Sequence, residues 1–278
     1  MKSFGRDTVS FAFMAMLLLV AGINTQAAEP GVSLEQAIAG KHRDPVNAAR
    51  DKYRHPKQTL EFFGIQPDMT VLETLPGAGW YTEILAPYLR DRGNLIVATM
   101  LLTNDSPEYF HKRQATYYAK MDAAPEIYGR VKRTTFKKEK YLEDVEDNSV
   151  DMVLDSRNLH NYIRFGGAEE LFGTYYRILK PGGILSVIDH RAPEGVDVKQ
   201  FADTGYVPES YAIALAEQSG FKLVAKAEIN ANPKDTKNHP KGVWTLPPVY
   251  RLGNEDKEKY SAIGESDRMT IKFIKPAD

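Results

Sequence analysis

The sequence predicts an α/β protein with a doubly wound, mostly parallel seven-stranded sheet and helices on both faces. Two observations carry this prediction. Short apolar segments typical of buried strands alternate with longer segments of helical periodicity, and the first apolar segment runs into a glycine turn and then a helix. Such alternation indicates a parallel sheet, because each crossover between parallel strands is made by a helix. The predicted strands cover residues 70–75, 95–100, 131–136, 150–154, 184–189, 221–229 and 269–274.

The covering helices are predicted from apolar residues at helical spacing and from signals at the helix ends. Pro56 suits the first position of a helix, and Gly64 and Gly220 suit positions just after a helix ends. The predicted helices cover residues 59–63, 80–89, 106–122, 166–179 and 208–218. Residues 230–267 break the alternation and are rich in Pro, Asn, Lys and Asp, which predicts an irregular excursion from one edge of the sheet.

The sequence of residues 1–28 has the pattern of a cleaved export signal. Lys2 and Arg6 form a short positive region, residues 11–21 are apolar, and small residues follow at 25–28. The apolar run is shorter than the roughly 20 residues that span a bilayer, so a retained membrane anchor is the weaker interpretation. The sequence therefore predicts one mature domain over residues 29–278, located in the periplasm and without stable membrane insertion once the signal is removed. An uncleaved signal would instead leave a tethered cytoplasmic protein.

Composition excludes several classes of function. The 36 Lys and Arg residues balance 37 Asp and Glu residues, so the chain has no basic character that would indicate a nucleic-acid partner. There is no cysteine, which excludes disulfides, thiolate zinc sites and cysteine nucleophiles. The chain also has no G-x-S-x-G motif of a serine hydrolase. A small molecule is the expected partner, and the sequence gives no indication of oligomeric state.

The glycine turn after the first strand is the segment that carries the most chemical information. Glu73 stands at the strand end, and Gly77 and Gly79 precede the next helix. Glycines let a ligand approach the backbone, and the helix N-terminus attracts an anionic group. Thr82 occupies the place of the third glycine of G-x-G-x-x-G, which disfavours a dinucleotide. A plain strand-to-helix turn is the alternative.

Together with two later segments, the glycine turn resembles the class I methyltransferases that use S-adenosylmethionine. The segments are Asp147 to Leu154, which leads into the fourth strand, and Arg177 to Gly183, whose Leu-Lys-Pro-Gly-Gly turn precedes the fifth. The resemblance implies a Rossmann-like fold over residues 50–229 and the final strand. The segments Tyr53–Pro56, Phe62–Ile65 and Gly79–Glu83 further resemble a group of exported bacterial methyltransferases of undefined substrate.

The resemblance implies S-adenosylmethionine as the cofactor. Glu73, Gly77 and Gly79 would face its methionine part, Arg54 suits a carboxylate, and the Trp80 ring suits a sulfonium. The residues expected to bind the cofactor are Tyr53, Arg54, His55, Glu73, Gly77, Gly79, Trp80 and Thr99. The sequence departs from the family at two of its positions. Leu75 stands where the family has the first glycine of the turn, and Thr99 stands where it has an acid for the ribose hydroxyls.

The expected function is methyl transfer to a small or envelope-associated acceptor. Asp155, Asp189 and His190 follow the fourth strand or close the fifth and are the candidate catalytic residues, with His160 as another candidate base. No metal is expected, although His55, His160, Asp189 and His190 are of metal-ligating types. The alternative function is a periplasmic binding protein that keeps the fold but has lost or exchanged the cofactor, as Leu75 and Thr99 suggest. The excursion at 230–267 is expected to shape the acceptor side of the cleft, or else to form a surface arm or dimer contact.

Overall fold

A computed structural model describes Met1, residues 31–137 and residues 140–277. The predicted signal peptide, Met1 apart, lies outside these described residues, so the structure does not bear on the prediction of export. Within the described residues, no helix has the length and apolar character needed to cross a bilayer.

Seven strands form one sheet, as the sequence predicts. The strands are β1 (Thr70–Thr74), β2 (Asn94–Met100), β3 (Lys132–Phe136), β4 (Val150–Ser156), β5 (Leu179–His190), β6 (Lys222–Ala227) and β7 (Arg268–Ile274). Their order across the sheet is β3-β2-β1-β4-β5-β7-β6. All neighbours pair in parallel except β7, which lies antiparallel between β5 and β6. The predicted fold class, a doubly wound and mostly parallel sheet, is confirmed.

Helices cover both faces of this sheet. They are α1 (Leu34–Ile38), α2 (Pro45–Ala48), α3 (Asp51–Arg54), α4 (Pro56–Phe63), α5 (Thr82–Leu89), α6 (Glu108–Asp122), α7 (Pro125–Tyr128), α8 (Leu159–Phe165), α9 (Ala168–Ile178), α10 (Val198–Ala202), α11 (Glu209–Gln218) and α12 (Lys257–Ile263), with a 3₁₀ helix at Gly242–Thr245. The five predicted helices are present. The others have four to seven residues, too few for a periodic apolar pattern to identify them in the sequence.

The sheet separates two apolar cores. One contains Leu72 and Val153 with the inner face of α9, and the other contains Val71, Met152 and Leu154 with the inner face of α5. Adjacent residues of a strand point to opposite faces, which explains why neighbours such as Val71 and Leu72 belong to different cores. Each fully buried aliphatic side chain contributes roughly 1.5–3 kcal/mol to folding.

The topology places a crevice between β1 and β4. From β1 the chain proceeds outward to β2 and β3, and then crosses back to form β4 on the other side of β1. In open α/β sheets, ligands bind at such a switch point, beyond the carboxyl ends of the strands. The residues after β1, β4 and β5 therefore meet at the edge where a ligand is expected.

The N-terminal helices are anchored beside this crevice by α5 and the turn before it. Glu83, which is fully buried in α5, accepts a hydrogen bond from Asn47 Nδ2 at 2.9 Å. The Trp80 Nε1 donates to the backbone carbonyl of Asn47 at 2.9 Å. These contacts hold the segment that carries Arg50 and Arg54 against the start of α5.

Candidate functional site

The glycine turn joins β1 to α5 and has the backbone that its glycines predict. Gly77 and Gly79 have φ of 66° and 83°, in the left-handed region that residues with a Cβ rarely adopt. A Cβ on Gly77 would lie 2.7 Å from Nη2 of Arg113, and one on Gly79 would lie 2.9 Å from Cε2 of Tyr117. Two side chains of α6 therefore occupy the space over the turn, and no backbone does.

Leu75 also has a left-handed backbone, with φ of 41°. This is the position where the resembled family has glycine, and the left-handed conformation costs a residue with a Cβ roughly 1–2 kcal/mol. The Leu75 side chain packs against the core that contains Leu72, and its N–H donates to the carbonyl of Ala98 at 2.8 Å. Packing in that core offsets the backbone cost, so the turn keeps its shape without the first glycine.

Glu73 lies at the end of β1 with its side chain 3% exposed. Its Oε2 accepts a hydrogen bond from Thr82 Oγ1 at 2.6 Å, and the same hydroxyl is 3.0 Å from the Tyr117 hydroxyl. Burial raises the pKa of Glu73 to about 7, against the opposing effect of the Thr82 hydrogen bond. A cation brought close to Glu73 would therefore favour loss of its proton near neutral pH.

Four arginines and one carboxylate form what we call the arginine cluster: Arg50, Arg54, Arg157 and Arg268 with Glu265. Arg50 Nε donates to Glu265 Oε1 at 2.6 Å, and Arg268 Nη1 and Arg54 Nε donate to Oε2 at 2.9 and 3.3 Å. Arg157 follows β4, and its charge interacts with those of the other four. The cluster has a formal excess of three positive charges at the carboxyl edge of the sheet.

The guanidinium groups of the cluster are incompletely paired. Nη2 of Arg50, Nη2 of Arg54 and Nε of Arg268 are buried without a hydrogen-bond partner among the described residues. Burial, together with the charges of Arg50 and Arg268, lowers the pKa of Arg54 to about 9, although Glu265 opposes this change. Burial and then the charge of Arg54 lower the pKa of Arg157 well below its ordinary value. Hydrogen-bond donors thus outnumber acceptors in this part of the crevice.

The three other predicted cofactor residues near Arg54 have structural contacts of their own. The Trp80 ring lies 4.9 Å from the guanidinium of Arg54 and 5.7 Å from that of Arg43. The carbonyl of Tyr53 accepts a hydrogen bond from Arg268 Nη2. His55 lies between α3 and α4 with φ of 43°, and its buried Nδ1 has no partner among the described residues. Binding roles for these residues stay predictions.

Thr99 lies near the end of β2, which pairs directly with β1 at the same edge of the sheet. Its hydroxyl is 2.6 Å from the Tyr118 hydroxyl and accepts a hydrogen bond from Gln114 Nε2 at 2.7 Å. These two residues of α6 therefore already use much of the hydrogen-bonding capacity of the Thr99 hydroxyl. An open groove of about 330 Å³ adjoins it. The groove is lined by Met100, Leu101, Leu102, His111, Gln114, Ala115, Tyr118 and Thr135.

Asp189 and His160 form a buried pair beyond β4 and β5. Asp189 Oδ2 accepts the backbone N–H of His160 at 2.9 Å, Oδ1 accepts the N–H of His190 at 2.8 Å, and His160 Nδ1 lies 3.1 Å from Oδ1. A carboxylate can only accept, so this contact places the imidazole proton on Nδ1. The Nε2 of His160 is then left as a proton acceptor, as a general base requires.

His190 borders both the His160–Asp189 pair and the arginine cluster. It lies directly opposite Arg268 in the β5–β7 pairing, and its Nδ1 is hydrogen-bonded to Ser266 Oγ. Burial lowers the pKa of His190 well below its usual value, and the charges of His160 and Arg157 lower it further. His190 is therefore neutral at neutral pH.

His160, Asp189 and His190 offer ligand atoms within 4.8 Å of one another, a spacing that a metal ion could bridge. Both oxygens of Asp189 are already hydrogen-bonded, and His190 lies beside the positive charge of the cluster. A cation is electrostatically disfavoured in such surroundings.

Asp155 lies inside β4 and not beyond its end. The strand extends to Ser156, two residues further than predicted, and pairs Asp155 with Thr74 and Val187. Asp155 is 1% exposed, and Tyr175 donates to its Oδ2 at 3.3 Å. Burial and the charge of Asp189 raise the pKa of Asp155 to about 8. The structure thus places Asp155 beneath Tyr175 in the core, and its catalytic role stays a prediction.

Several residues of the site were not identified from the sequence. Arg157, Glu265 and Arg268 were missed, although Arg157 directly follows β4 and Arg268 is the first residue of β7. Trp244, from the predicted excursion, lies with its ring 6.0 Å from that of His160. The excursion therefore contributes side chains to the crevice.

Solved structures share this architecture over most of the chain. A methyltransferase from Aquifex aeolicus described as dependent on S-adenosylmethionine is 16% identical, with a TM-score of 0.55, over 87% of this chain and 98% of its own. The likeness shows a shared fold, which in this chain has the strand order β3-β2-β1-β4-β5-β7-β6 with β7 antiparallel. The chain has the class I methyltransferase fold.

Two further structures show the breadth of this methyltransferase fold. A phosphoethanolamine N-methyltransferase from Haemonchus contortus, solved in complex with S-adenosyl-L-methionine, is 15% identical with a TM-score of 0.53, covering 87% of this chain and 56% of its own. The cyclase SpnF is 17% identical with a TM-score of 0.55, over 88% of this chain and 92% of its own. The sequence matches no protein-family model and no curated protein. At these identities the likeness establishes the methyltransferase fold alone.

Proposed function

We propose that this protein is an S-adenosylmethionine-dependent methyltransferase that acts on a small or envelope-associated acceptor. The observation that supports the proposal is the glycine turn at the switch point of a methyltransferase fold: a buried Glu73 lies before it, and the incompletely paired guanidinium of Arg54 lies 4.9 Å from the ring of Trp80, which directly follows it. Glu73 supplies an acceptor for an ammonium group, and Arg54 supplies donors for a carboxylate. These are the two charged groups of an amino-acid ligand.

The residues around the turn fit the cofactor once two side chains of α6 move. Glu73 and Arg54 would hold the methionine part, and the groove beside Thr99 offers apolar surface for the adenine ring. Arg113 occupies the space over Gly77 through the end of a flexible side chain, so rotation about its side-chain bonds frees that space. Tyr117 lies over Gly79 as a buried core ring, so its displacement requires α6 itself to shift. The exposed position of Arg113 makes its displacement inexpensive.

When bound, the cofactor supplies an electrophilic methyl group. The contribution of the chain is to position an acceptor and to remove its proton, and proximity provides much of the rate. His160 Nε2 accepts the proton from the acceptor, and Asp189 holds the imidazole in the required tautomer. Trp244, close to the His160 ring, lines the acceptor side.

Export to the periplasm belongs to the same proposal and is supported by the signal-like composition of residues 1–28. Mass spectrometry of the native protein tests it. A chain that begins near Glu29 is expected, and a chain that retains Met1 or residue 2 would indicate a tethered cytoplasmic enzyme instead.

A binding protein that has lost or exchanged the cofactor is the second candidate. The observation that favours it is the occupation of the glycine turn by Arg113 and Tyr117, together with the hydrogen bonds that Thr99 already makes to α6. In that case α6 stays over the turn, and the crevice near the arginine cluster binds a different ligand.

Calorimetric titration with S-adenosylmethionine and S-adenosylhomocysteine distinguishes the two candidates. Wild-type protein is expected to bind both, and Glu73→Ala and Gly77→Val are expected to lose binding. Gly253→Val is the matched control, because Gly253 has the same φ of 66° but no neighbouring atom within 4 Å of its Cβ position. Failure of folded wild-type protein to bind either ligand would favour the binding protein.

A further inference from the structure

We propose that the arginine cluster is a binding site for a dianionic oxyanion, the phosphate group of a phosphate monoester. The cluster combines four guanidinium groups with one carboxylate in a buried part of the crevice, and three of its guanidinium nitrogens lack partners among the described residues. The proposal concerns charge and geometry around Arg54, Arg157 and Arg268, and it does not depend on whether the glycine turn binds a cofactor.

The ion pairs with Glu265 compensate only part of the positive charge of the arginine cluster. Glu265 receives hydrogen bonds from Arg50, Arg54 and Arg268, and these use its two oxygens. Arg54 and Arg268 are 5% and 3% exposed, so bulk solvent has little access to their unpaired nitrogens. A buried charge without a partner is costly, and a protein retains such an arrangement most readily where a ligand of opposite charge completes it.

The backbone of Arg157 provides a second, independent observation. Its φ is 62°, which costs a residue with a Cβ roughly 1–2 kcal/mol. Its backbone N–H donates to the carbonyl of Ile188 at 2.7 Å, whereas its guanidinium makes no hydrogen bond within the described residues that would account for where the side chain is held. Strained residues concentrate at ligand sites, where the surrounding structure holds them in a required position.

The groups that surround the arginine cluster are hydrogen-bond donors or carry no charge. Tyr81, which interacts with Arg54, Arg157 and Arg268, has its pKa raised to about 12 by burial and remains a neutral hydroxyl donor. His190 is neutral and hydrogen-bonded to Ser266. Glu265 is the only acid that contacts the cluster arginines 50, 54 and 268 among the described residues. These surroundings suit an acceptor-only anion and not a cation.

The excess of positive charge selects a dianion over a monoanion. A single carboxylate would neutralise one of three excess charges, whereas a phosphate monoester carries close to two at neutral pH. Its three terminal oxygens also match several guanidinium forks at once, since arginine binds phosphate through two parallel hydrogen bonds. If the carboxylate of a methionine group also binds Arg54, it neutralises one of the three excess positive charges. The two that remain still match the two negative charges of a phosphate monoester.

The experiment is calorimetric titration of the full-length protein with inorganic phosphate, glycerol 3-phosphate and acetate at pH 7.5, without cofactor. Saturable binding of both phosphates is expected, at least tenfold tighter than binding of acetate, with glycerol 3-phosphate at least as tight as inorganic phosphate. No saturable phosphate binding, or equal binding of acetate, would overturn the proposal. Inorganic phosphate binding more tightly than the ester would overturn the monoester assignment.

Variants locate the binding. Arg157→Gln is expected to weaken phosphate at least tenfold, and Arg157→Lys is expected to lie between this variant and wild type because lysine keeps the charge but loses the fork. Arg133→Gln, which removes an exposed arginine of β3 paired with Asp122, is the matched control and should leave binding unchanged. Unchanged phosphate affinity in Arg157→Gln would contradict the assignment. Failure of S-adenosylmethionine to bind leaves these results unaffected, so the two proposals fail separately.

Discussion

Asp189 holds His160 through two contacts at once. Its carboxylate accepts the backbone N–H of His160 at 2.9 Å and the ring Nδ1 at 3.1 Å, so both the start of α8 and the orientation of the imidazole depend on one buried side chain. This pair is the best candidate for an oriented base in the crevice, and it lies within ring contact of Trp244 and His190.

Replacement of Asp189 by Asn should disturb the tautomer of His160. In wild-type protein the carboxylate fixes the proton on Nδ1, whereas the Asn amide can either donate or accept. Two-bond ¹H–¹⁵N correlation spectra should show a single Nδ1–H tautomer in wild type and a mixture, or the Nε2–H form, in Asp189→Asn. Asp203→Asn, at an exposed ion pair with Arg164, is the control and should leave the His160 signal unchanged. An Nε2–H tautomer in wild type would rule out His160 as the base described above.

Glu265→Gln should destabilise the fold, because it removes the carboxylate that compensates Arg50, Arg54 and Arg268. Loss of one partner of a buried ion pair costs about 3–5 kcal/mol. Although burial raises the pKa of Glu265, the charges of Arg54 and Arg268 outweigh this effect and lower it. The stabilisation is therefore complete above about pH 4.5, the pKa in the unfolded chain, and is lost as pH falls further. Urea unfolding of both proteins from pH 3 to pH 8 measures this difference. If the difference in unfolding free energy between wild type and Glu265→Gln were as large at pH 3 as at pH 8, Glu265 would not have the lowered pKa described here.

Asp155→Asn should become increasingly stabilising as pH rises. The folded pKa of Asp155 is raised to about 8, so the folded chain holds a proton between pH 4 and pH 8 that the unfolded chain has lost. Stability of the wild type relative to the variant must then fall over this interval, by as much as about 5 kcal/mol, and level off above pH 8. Urea midpoints of the two proteins at pH 4, 6 and 8 check this. A constant difference would mean that Asp155 ionises normally.

Glu73 should release a proton when a cationic ligand binds. Its pKa of about 7 leaves it about half protonated at pH 7, and an ammonium or sulfonium nearby favours the carboxylate. Titration with S-adenosylmethionine in buffers of different ionisation enthalpy should therefore show release of about half a proton at pH 7. Glu73→Gln should remove the buffer dependence. Binding without proton release in wild-type protein would place the cation away from Glu73.

The strands and the glycine turn could be predicted because their signals are local. Most strands are short apolar runs, β3 (Lys132–Phe136) being a polar exception, and Gly77 and Gly79 mark the turn directly. Strand ends were less predictable: β4 continues through the polar residues Asp155 and Ser156, because pairing with β5 and burial under α9 compensate their polarity. A run of apolar residues alone places the end two residues too early.

The arginine cluster could not be predicted, because its members come from three separate parts of the chain. Arg50 precedes α3 and Arg54 ends it, Arg157 follows β4, and Glu265 lies just before β7, whose first residue is Arg268. Each residue alone resembles a surface arginine or acid. Only the β5–β7 pairing and the docking of α3 bring them together, and neither has a signal in the local sequence.

A crystal structure of the protein grown with saturating S-adenosylhomocysteine tests the central claim most directly. We expect the ligand over Gly77 and Gly79, with its amino-acid group between Glu73 and Arg54 and with the side chains of Arg113 and Tyr117 displaced from the turn. Crystals in which Tyr117 still lies against Gly79 and the turn holds no ligand would contradict it.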